Sequence, residues 1–412
     1  MAYNNLLIIG FVWPEPKSSA AGSRMLQLVK QFLSQDYKIT FVSAAKKSER
    51  SFDLTTLGVN VHSILLNDSS FDKFIRDLNP EIVVFDRFMT EEQYGWRVAE
   101  QCPEALRILD TEDIHGLRKA RELAIKDKSE VSLEHLQNDI TKREIASIYR
   151  CDLSLIISEA EIELLTEQFK IDSHLLCYLP FLLEPISEVH IRKLPTFEER
   201  QPFISIGNFL HPPNYDAVLY LKQKIWPLVQ QQLPTAELHI YGAYASQKAT
   251  QLNNKKEGFL IKGFTDDVNE VMQKAKVCLA PLRFGAGLKG KLIDAMRNGT
   301  PCIMTSIAAE GMFGELETNG FIDDDAKGMA DKAITLYRDS KYWHYSQNNG
   351  FKVLTQRFNK DHFVTDFSIK VSTLKANLKS HRQHNFIGNV LQYHTLQSTK
   401  YLSKWIEEKN RL

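Results

Sequence analysis

The chain has 412 residues, which suggests two or three domains of about 150 residues, each able to bury its own core. Its 51 Lys and Arg residues balance 51 Asp and Glu residues, so no overall field attracts nucleic acid or an anionic membrane. The five cysteines form no C-x-x-C pair and lie in or beside apolar runs. This predicts buried, reduced thiols in a cytoplasmic protein rather than a disulfide framework or a zinc site. We find no signal-peptide pattern and no apolar run of the roughly 20 residues that a bilayer requires.

Short apolar runs alternate with amphipathic helical stretches in the first part of the chain. The runs are apolar on nearly every residue, as in strands of a parallel sheet covered on both faces. The order strand, helix, strand predicts a doubly wound sheet. The predicted strands are 5–12, 38–44, 81–86, 105–110, 153–158 and 174–180.

A stretch rich in proline and charge, 180–201, interrupts this alternation, which then restarts. We therefore expect two Rossmann-like domains that face a cleft, followed by C-terminal helices. The second set of predicted strands is 203–208, 236–242, 258–264, 276–282 and 300–306. The predicted division is an N-terminal domain at 1–185, a linker at 186–201, a C-terminal domain at 202–358, and helices at 359–412, of which the first is expected to return to the N-terminal domain.

Ligands of open α/β sheets bind beyond the carboxyl ends of the strands, so the loops there are the candidate sites. One of these loops, within APLRFGAGLKGKLIDAMRNGTP (280–301), contains Gly285, Gly287 and Gly290 and leads into a predicted helix. A glycine-rich turn into a helix N-terminus offers free backbone N–H groups and the positive end of a helix dipole. This arrangement suits a phosphate group.

Charged side chains in the same stretch extend this prediction. Lys289 and Lys291 are expected to add mobile positive charge. Asp294, one turn into the helix, can accept hydrogen bonds from ribose hydroxyls. The stretch thus predicts one binding site for a diphosphate and one for a ribose. The alternative interpretation is a glycine-rich turn followed by a helix whose charged face is solvated, because this has the same composition.

Two loops of the first domain are further candidates. The loop FVWPEPKSSAAGSRM (11–25) places small residues at the start of a helix, where a ligand can approach the backbone. The stretch LDTEDIHGLRKARE (109–122) brings His115 close to Asp113 and Arg118 after a strand. His115 could act on an acceptor hydroxyl while a carboxylate holds its ring. A flexible loop and a structural histidine are the alternative interpretations.

The stretch 280–311 resembles the donor site of retaining GT-B glycosyltransferases of family four, the glycosyl transferases group 1 proteins. The likeness continues through SIGNFLHPPNYDAVLYLKQKIWP (205–227), HIYGAY, and IKGFTDDVNEVMQKAKVCLAPL, and it leaves out only the last 30-odd residues. It implies a GT-B fold, a nucleotide-sugar donor in the C-terminal domain, an acceptor mostly in the N-terminal one, and transfer with retention and without a metal or other cofactor. Family members often carry two acids separated by seven residues; Asp294 stands at the second position and Ala286 at the first.

The resemblance assigns site residues. On the donor side it implies Gly207, Asn208, Phe264, Gly285, Ala286, Gly287, Leu288, Lys289, Gly290, Lys291 and Asp294, with the amides of 287–289 beside the donor. For the acceptor and phosphate loop the residues are Ser18, Ser19, Ala20, Ala21, Gly22, Asp113 and Arg118. The residues expected to carry the chemistry are His115, Lys291 and Asp294.

We therefore expect a glycosyltransferase that moves a sugar from a nucleotide-diphosphate sugar to a saccharide or lipid-linked glycan, in cell-envelope polysaccharide assembly. Lys charge and helix dipole would stabilise the departing diphosphate in place of a metal. The aspartates of 264–267 and 321–328 are interpreted as turns and helix caps, not as metal ligands. The alternatives are a non-catalytic nucleotide-sugar-binding regulatory protein, which the absent acid at Ala286 suggests, and a nucleotide-sugar epimerase of the same architecture.

The last stretch, 385–411, carries a helical stripe of Phe386, Val390, Leu391, Leu402, Trp405 and Ile406. We expect this stripe to pack on the protein's own core or on a second subunit. The alternative is peripheral contact with the inner face of the membrane, near lipid-linked acceptors, since Lys404 and Lys409 lie beside the aromatic residues.

Overall fold

The computed structural model describes residues 4–411 and contains, within that range, two parallel β-sheets. The first sheet has seven strands in the order β3-β2-β1-β4-β5-β6-β7. We call the part of the chain that carries them the first domain. Its strands are β1 (Asn5–Gly10), β2 (Lys38–Ser43), β3 (Asn60–Ser63), β4 (Ile82–Asp86), β5 (Leu106–Asp110), β6 (Leu153–Ile156) and β7 (Leu176–Tyr178).

Helices connect these strands, so every neighbouring pair in the sheet is parallel. In the first domain and the segment after it they are α1 (Ala20–Leu33), α2 (Ser70–Leu78), α3 (Arg87–Gln101), α4 (His115–Asp127), α5 (Leu133–Leu136), α6 (Asp139–Arg150), α7 (Glu159–Glu163) and α8 (Glu188–Arg192). Shorter 3-10 turns lie at Leu54–Leu57 and Ser173–Leu175, and a π-turn continues α7 over Leu164–Gln168.

The second sheet has, within residues 4–411, six strands in the order β10-β9-β8-β11-β12-β13, and the part of the chain that carries it is the second domain. Its strands are β8 (Phe203–Ile206), β9 (Leu238–Tyr241), β10 (Phe259–Gly263), β11 (Val277–Ala280), β12 (Cys302–Met304) and β13 (Gly320–Ile322). Its helices are α9 (Pro212–Tyr220), a π-turn (Leu221–Ile225), α10 (Trp226–Gln232), α11 (Gln247–Thr250), a 3-10 turn (Lys255–Glu257), α12 (Val268–Lys274), α13 (Gly290–Arg297), α14 (Ser306–Ala309), α15 (Ala326–Arg338) and α16 (Ser340–Arg357).

The last helices run back along the first domain. After a 3-10 turn (Lys360–His362), α17 (Val364–Ala376) inserts Phe367 and Val371 into the core under the first sheet, where the rings of Phe367 and Phe32 have their centroids 5.6 Å apart. α18 (Leu378–His384) and α19 (Phe386–Arg411) follow, and α19 packs against α3 and α6.

The predicted doubly wound GT-B architecture is confirmed, and so are all eleven predicted strands as elements. Two strands were missed: β3 and β13 are short edge strands without a buried side chain, so no long apolar run marks them. The predicted aspartate caps are confirmed, because Asp267 caps α12 and Asp325 caps α15. The five cysteines are free and buried, as predicted. Within the described part of the chain, no helix is long and apolar enough to cross a membrane.

The C-terminal stripe does not pack on the protein's own core along its whole length, and its packing on a second subunit stays a prediction. Phe386, Leu402 and Trp405 are 57–71% exposed, whereas Gly388 and Ser403 are buried against the first domain. Leu391 and Ile406 are half-buried, so the stripe lies only partly against the protein. The opposite face of α19 lies close to α6 because Gly388 has no side chain there.

Candidate functional site

The glycine-rich loop 285–290 connects β11 to α13 at the carboxyl end of the second sheet. Gly285 and Gly287 have φ values of 153° and 63°, in the region that favours glycine. α13 has no side-chain N-cap, so its first N–H groups are not satisfied by a neighbouring side chain. The predicted helix terminus therefore exists and leaves donors for an anion.

Lys289 does not supply the mobile charge that we expected. Its side chain is only 7% exposed, and its ammonium donates to the carbonyls of Ala286 (2.9 Å) and Gly287 (2.5 Å). Burial lowers the pKa of Lys289 to about 8. The lysine therefore holds the loop in shape, because a buried ammonium must satisfy its donors and the loop carbonyls are within reach.

Lys291 and Asp294 lie on the first two turns of α13. The ammonium of Lys291 donates to Oδ1 of Asn214 at 2.9 Å, and burial lowers its pKa to about 8. No described residue donates a hydrogen bond to the Asp294 carboxylate, and burial raises the pKa of this group to about 7. A half-buried carboxylate that accepts no hydrogen bond from the described residues is suited to accept hydrogen bonds from ligand hydroxyls.

Two of the three amides of 287–289, those of Gly287 and Lys289, are engaged within the protein. Gly287 donates at 2.8 Å to Oε1 of Glu161, which comes from the first domain, and the amide of Lys289 faces the sulfur of Met312 at 3.4 Å. Ala286 packs against the core of the first domain, and Leu288 is buried in the second. In this conformation, the loop touches both domains and the carboxylate of Glu161 holds the Gly287 amide.

The first-domain loop at 18–22 lies directly opposite. Ser19 caps α1 by accepting from the amide of Gly22 at 3.1 Å, and the buried hydroxyl of Ser18 has no partner among the described residues. A Cβ on Gly290 would lie 2.6 Å from Cβ of Ala20. Ala21 is the second residue of the helix. The two helix N-termini thus meet across the cleft, and a residue without a side chain is needed where they touch.

The predicted trio of the first domain forms a chain that reaches the second domain. Nε2 of His115 lies 3.2 Å from Asp113, whose other oxygen accepts from Arg118 at 2.5 Å. Arg118 in turn lies 3.3 Å from Nε2 of His211, in the loop before α9. Burial lowers the pKa of His115, so its imidazole is neutral near pH 7, and it lowers the pKa of His211 to about 4.

Two carboxylates that the sequence did not reveal fix the position of His115. α4 begins at His115 and lacks a side-chain cap of its own. Glu144 accepts from the amides of His115 and Gly116 at 3.1 and 2.9 Å, and Glu161 accepts from Ile114 at 2.8 Å. Burial raises the pKa of Glu144 to about 8 and that of Glu161 to about 7. Single glutamates in amphipathic helices carry no local signal of such a role.

The remaining predicted donor residues line the second-domain side. Gly207 donates to the carbonyl of Tyr241 at 3.1 Å, and the Asn208 carbonyl accepts from the Asn214 side chain at 3.0 Å. The guanidinium of Arg50, from the first domain, lies 4.7 Å from the ring centre of Phe264. Gly207 and Asn208 therefore lie beside the partner of Lys291, whereas Phe264 lies in a contact between the domains.

The geometry suits a ligand with an anionic centre and several hydroxyls. The second domain offers a helix N-terminus, Lys291, and an Asp294 carboxylate that accepts no hydrogen bond from the described part of the chain. The first domain offers a neutral histidine held by an acid. Across residues 4–411, the structure contains no group of three His, Cys, Asp or Glu side chains that could hold a metal ion.

Comparison with known families covers the second-domain side of this site. Residues 200–339, which include the loop, α13 and the first loop of the second domain, match the model of the family described as glycosyl transferases group 1. The chain carries a glycosyl transferases group 1 domain on a GT-B fold. The predicted resemblance to this family is thereby confirmed over these residues.

Individual relatives are distant. An uncharacterized 44.6 kDa protein in the cps region of Klebsiella pneumoniae is 26% identical over 185 residues, which are 43% of this chain and 45% of that protein. The chain thus spans less than half of this curated relative.

Solved structures share the fold over about nine tenths of this chain. The sucrose-phosphate synthase from Thermosynechococcus elongatus matches with a TM-score of 0.68 at 15% identity over 90% of this chain and 99% of its own. Anabaena HepE in complex with UDP-glucose matches with a TM-score of 0.67 at 13% identity, over 90% of this chain and 100% of its own. S. aureus TarM, in complex with Fondaparinux, alpha-GlcNAc-glycerol and UDP, gives 0.68 at 10% over 89% and 99%. These likenesses establish the fold.

Proposed function

We propose that this chain transfers a sugar from a nucleotide-diphosphate sugar to a hydroxyl of a glycan or lipid-linked glycan, with retention of configuration. The proposal rests on the positions of Lys291 and Asp294. Both lie on the first two turns of α13, opposite His115, and the Asp294 carboxylate accepts no hydrogen bond from the described residues. The diphosphate would lie at the helix N-terminus and Lys291, and the ribose on Asp294. Because two solved GT-B neighbours are complexes with UDP or UDP-glucose, a uridine nucleotide is the first donor to test.

In the proposed reaction, the bond between the anomeric carbon and the diphosphate oxygen breaks while a bond forms to the acceptor oxygen. The acceptor proton passes to the departing diphosphate, so atoms and charge balance without a cofactor. Lys291 and the α13 dipole would stabilise the negative charge that develops on the diphosphate. The close approach of loops 18–22 and 285–290 would exclude water, which otherwise hydrolyses the donor.

Retention is supported by the state of the acid closest to His115. Arg118 and His115 hold the Asp113 carboxylate and keep its pKa well below the ordinary value, despite its burial. A carboxylate tied in two charge-assisted bonds is a poor nucleophile and a poor base. We therefore propose attack from the face of the leaving group, with a diphosphate oxygen as the base.

We propose cell-envelope polysaccharide assembly at the cytoplasmic side of the membrane as the setting. The relative from Klebsiella pneumoniae is described as lying in the cps region. The exposed face of α19, with Phe386, Tyr393, Tyr401 and Trp405, is suited to rest on a lipid surface, where Lys404 could meet anionic headgroups. Co-sedimentation with anionic vesicles that is unchanged in Trp405→Ala would remove this part of the proposal.

The transfer proposal is tested with a panel of UDP-, GDP- and dTDP-sugars. The donor should raise the melting temperature by binding the native state, and NMR of the product should show the anomeric configuration of the donor. Binding without turnover on any acceptor would favour the regulatory alternative. Conversion of the donor sugar in the absence of acceptor would favour the epimerase.

A further inference from the structure

A second cluster of polar and aromatic side chains lies in the first domain and adds Phe11, Asp86, Arg87 and Glu112 to the residues predicted from the sequence. The strand order reverses between β1 and β4, because β2 and β3 lie on one side of this pair and β5–β7 on the other. The loops after β1 and β4 therefore diverge and leave a crevice at the carboxyl ends of the strands, which is where open α/β sheets bind ligands. Phe11 follows β1, Arg87 follows β4, and Glu112 follows β5.

The backbone at this crevice is strained at two neighbouring strand ends. Arg87 and Glu112 have φ values of 69° and 61°, which side-chain-bearing residues rarely adopt. Such strain persists where the surroundings hold it, and it concentrates at functional sites. Both side chains point into one charged cluster, since Arg87 interacts electrostatically with Asp86, Glu112, Asp113 and Asp110.

An aromatic ring stands at the mouth of the cluster. Phe11 is 40% exposed, although its own amide is anchored to Oδ2 of Asp86 at 2.9 Å. The guanidinium of Arg87 lies 5.4 Å from the centre of the ring. An exposed aromatic face beside hydrogen-bonding groups suits the apolar face of a pyranose ring, whose hydroxyls can then reach the polar groups.

The polar groups of the cluster favour a neutral ligand. Arg24 pairs with Asp110 at 2.9 Å, Arg118 with Asp113 at 2.5 Å, and Arg87 lies 3.7 Å from Asp86, so every arginine already has an acid partner. Among the described residues of this cluster, no arginine is left without an acid partner to bind a phosphate or a carboxylate.

The cluster can still accept hydrogen bonds, however. Oδ1 of Asp86 and Oδ2 of Asp110 are buried without a hydrogen-bond partner among the described residues. Burial raises the pKa of Glu112 well above its ordinary value, which favours the protonated carboxyl, and a protonated carboxyl can donate a hydrogen bond. The cluster thus offers both acceptors and a donor to the hydroxyls of an uncharged sugar.

We propose that Phe11, Asp86, Arg87 and Glu112 form the acceptor subsite and take an uncharged pyranose residue at the end of the acceptor glycan. The ring would stack on Phe11, and its hydroxyls would bond to Asp86 and Glu112. Since Phe88 packs edge-on against His115, with ring centroids 5.6 Å apart, the subsite adjoins the histidine that faces the donor loop. This inference rests on the proposed transfer function and adds the chemical class of the acceptor.

The test uses the full chain and saturation-transfer NMR with methyl glycosides. The panel holds glucose, galactose and N-acetylglucosamine glycosides, a glucuronide and a glucose phosphate. At least one neutral glycoside should bind, the charged sugars should bind at least tenfold more weakly, and Phe11→Ala should weaken binding of the neutral glycoside about tenfold. Phe386→Ala, an exposed phenylalanine on α19, is the matched control and should change nothing.

A second variant and a donor measurement separate this inference from the transfer proposal. Glu112→Gln keeps an uncharged hydrogen-bond donor and should retain binding of the neutral glycoside. Glu112→Ala removes that hydrogen-bond donor and should weaken the binding. Donor affinity should stay within twofold of wild type in all variants. Preference for a charged sugar, or unchanged glycoside binding in Phe11→Ala, would overturn the subsite. Failure of wild type to bind any nucleotide sugar while neutral glycosides still bind would instead count against the transfer proposal.

Discussion

In the second domain, the cleft is lined by main-chain groups and glycines of loop 285–290, whereas in the first it is lined by ion-paired side chains from several strand ends. We call the two sides of the cleft the first-domain wall and the second-domain wall. The second-domain wall is local in sequence, because one stretch of about 20 residues supplies the loop, the helix terminus, Lys291 and Asp294. The first-domain wall is assembled from loops 11–25, 86–88 and 110–118, and it is held by Glu144 and Glu161.

This contrast suggests a division of labour. Backbone N–H groups at a helix terminus recognise an anion, the diphosphate, which is common to many nucleotide-sugar donors. Side-chain networks recognise a pattern of hydroxyls, and they can be varied without changing the fold. Variants on the second-domain wall should therefore impair turnover with every acceptor, whereas variants on the first should change which acceptor is used.

The largest effect should come from removing the charge of Lys291. Lys291→Ala takes away the cation that we place beside the departing diphosphate, and kcat/KM should fall by about 100-fold or more with every acceptor. The measurement is initial rate under saturating acceptor. Lys274→Ala, which removes an exposed lysine paired with Glu270 on the same domain, should retain full activity. Equal activity of the two variants would contradict the assigned role.

A somewhat smaller effect should follow from forcing the two walls apart. Gly290→Ala places a Cβ 2.6 Å from Cβ of Ala20, so the loops cannot approach as closely, and kcat should fall by roughly 10- to 100-fold. Ala20→Gly removes the opposing Cβ, and the double variant should recover most of the lost rate. A double variant as slow as Gly290→Ala alone would show that the loops need not meet during turnover.

The pH dependence of donor binding distinguishes the two walls further. Since burial lowers the pKa of Lys291 to about 8, its ammonium is present below that pH and is lost above it. Donor affinity of the free enzyme should therefore fall as the pH rises through about 8. Lys291→Arg keeps its charge at high pH and should bind donor equally at pH 7 and pH 9. Isothermal titration calorimetry measures this, and a fall of the same size in both proteins would assign the titration to another group.

The smallest effect concerns Glu161, which links the walls. Burial is the main cause that raises the pKa of Glu161 to about 7. Its contribution to the free energy of unfolding is therefore present below the ordinary glutamate pKa and is lost as the pH rises through 7. Glu161→Gln keeps a carbonyl oxygen for the amides of Ile114 and Gly287 without a buried charge. Its melting temperature should exceed that of wild type by about 2 °C at pH 8 and match it near pH 5. A lower melting temperature at both pH values would mean that the charge itself is needed.

The sequence predicted the fold and the second-domain wall well, because apolar runs, glycines and helix caps are local signals. It did not predict that Lys289 is buried on its own loop or that Glu161 takes the Gly287 amide, since both depend on how the domains close. Phe11 and Glu112 were missed for a related reason. Each is unremarkable in its own stretch, and only the sheet order brings the two together.

The central claim is that loop 285–290 and α13 hold the donor diphosphate, with Asp294 on the ribose. The most direct test is a crystal structure of the full chain soaked with UDP. We expect diphosphate oxygens within about 3 Å of Nζ of Lys291 and ribose hydroxyls at a similar distance from the Asp294 carboxylate. A nucleotide bound elsewhere, with this corner still closed by protein side chains, would contradict the account.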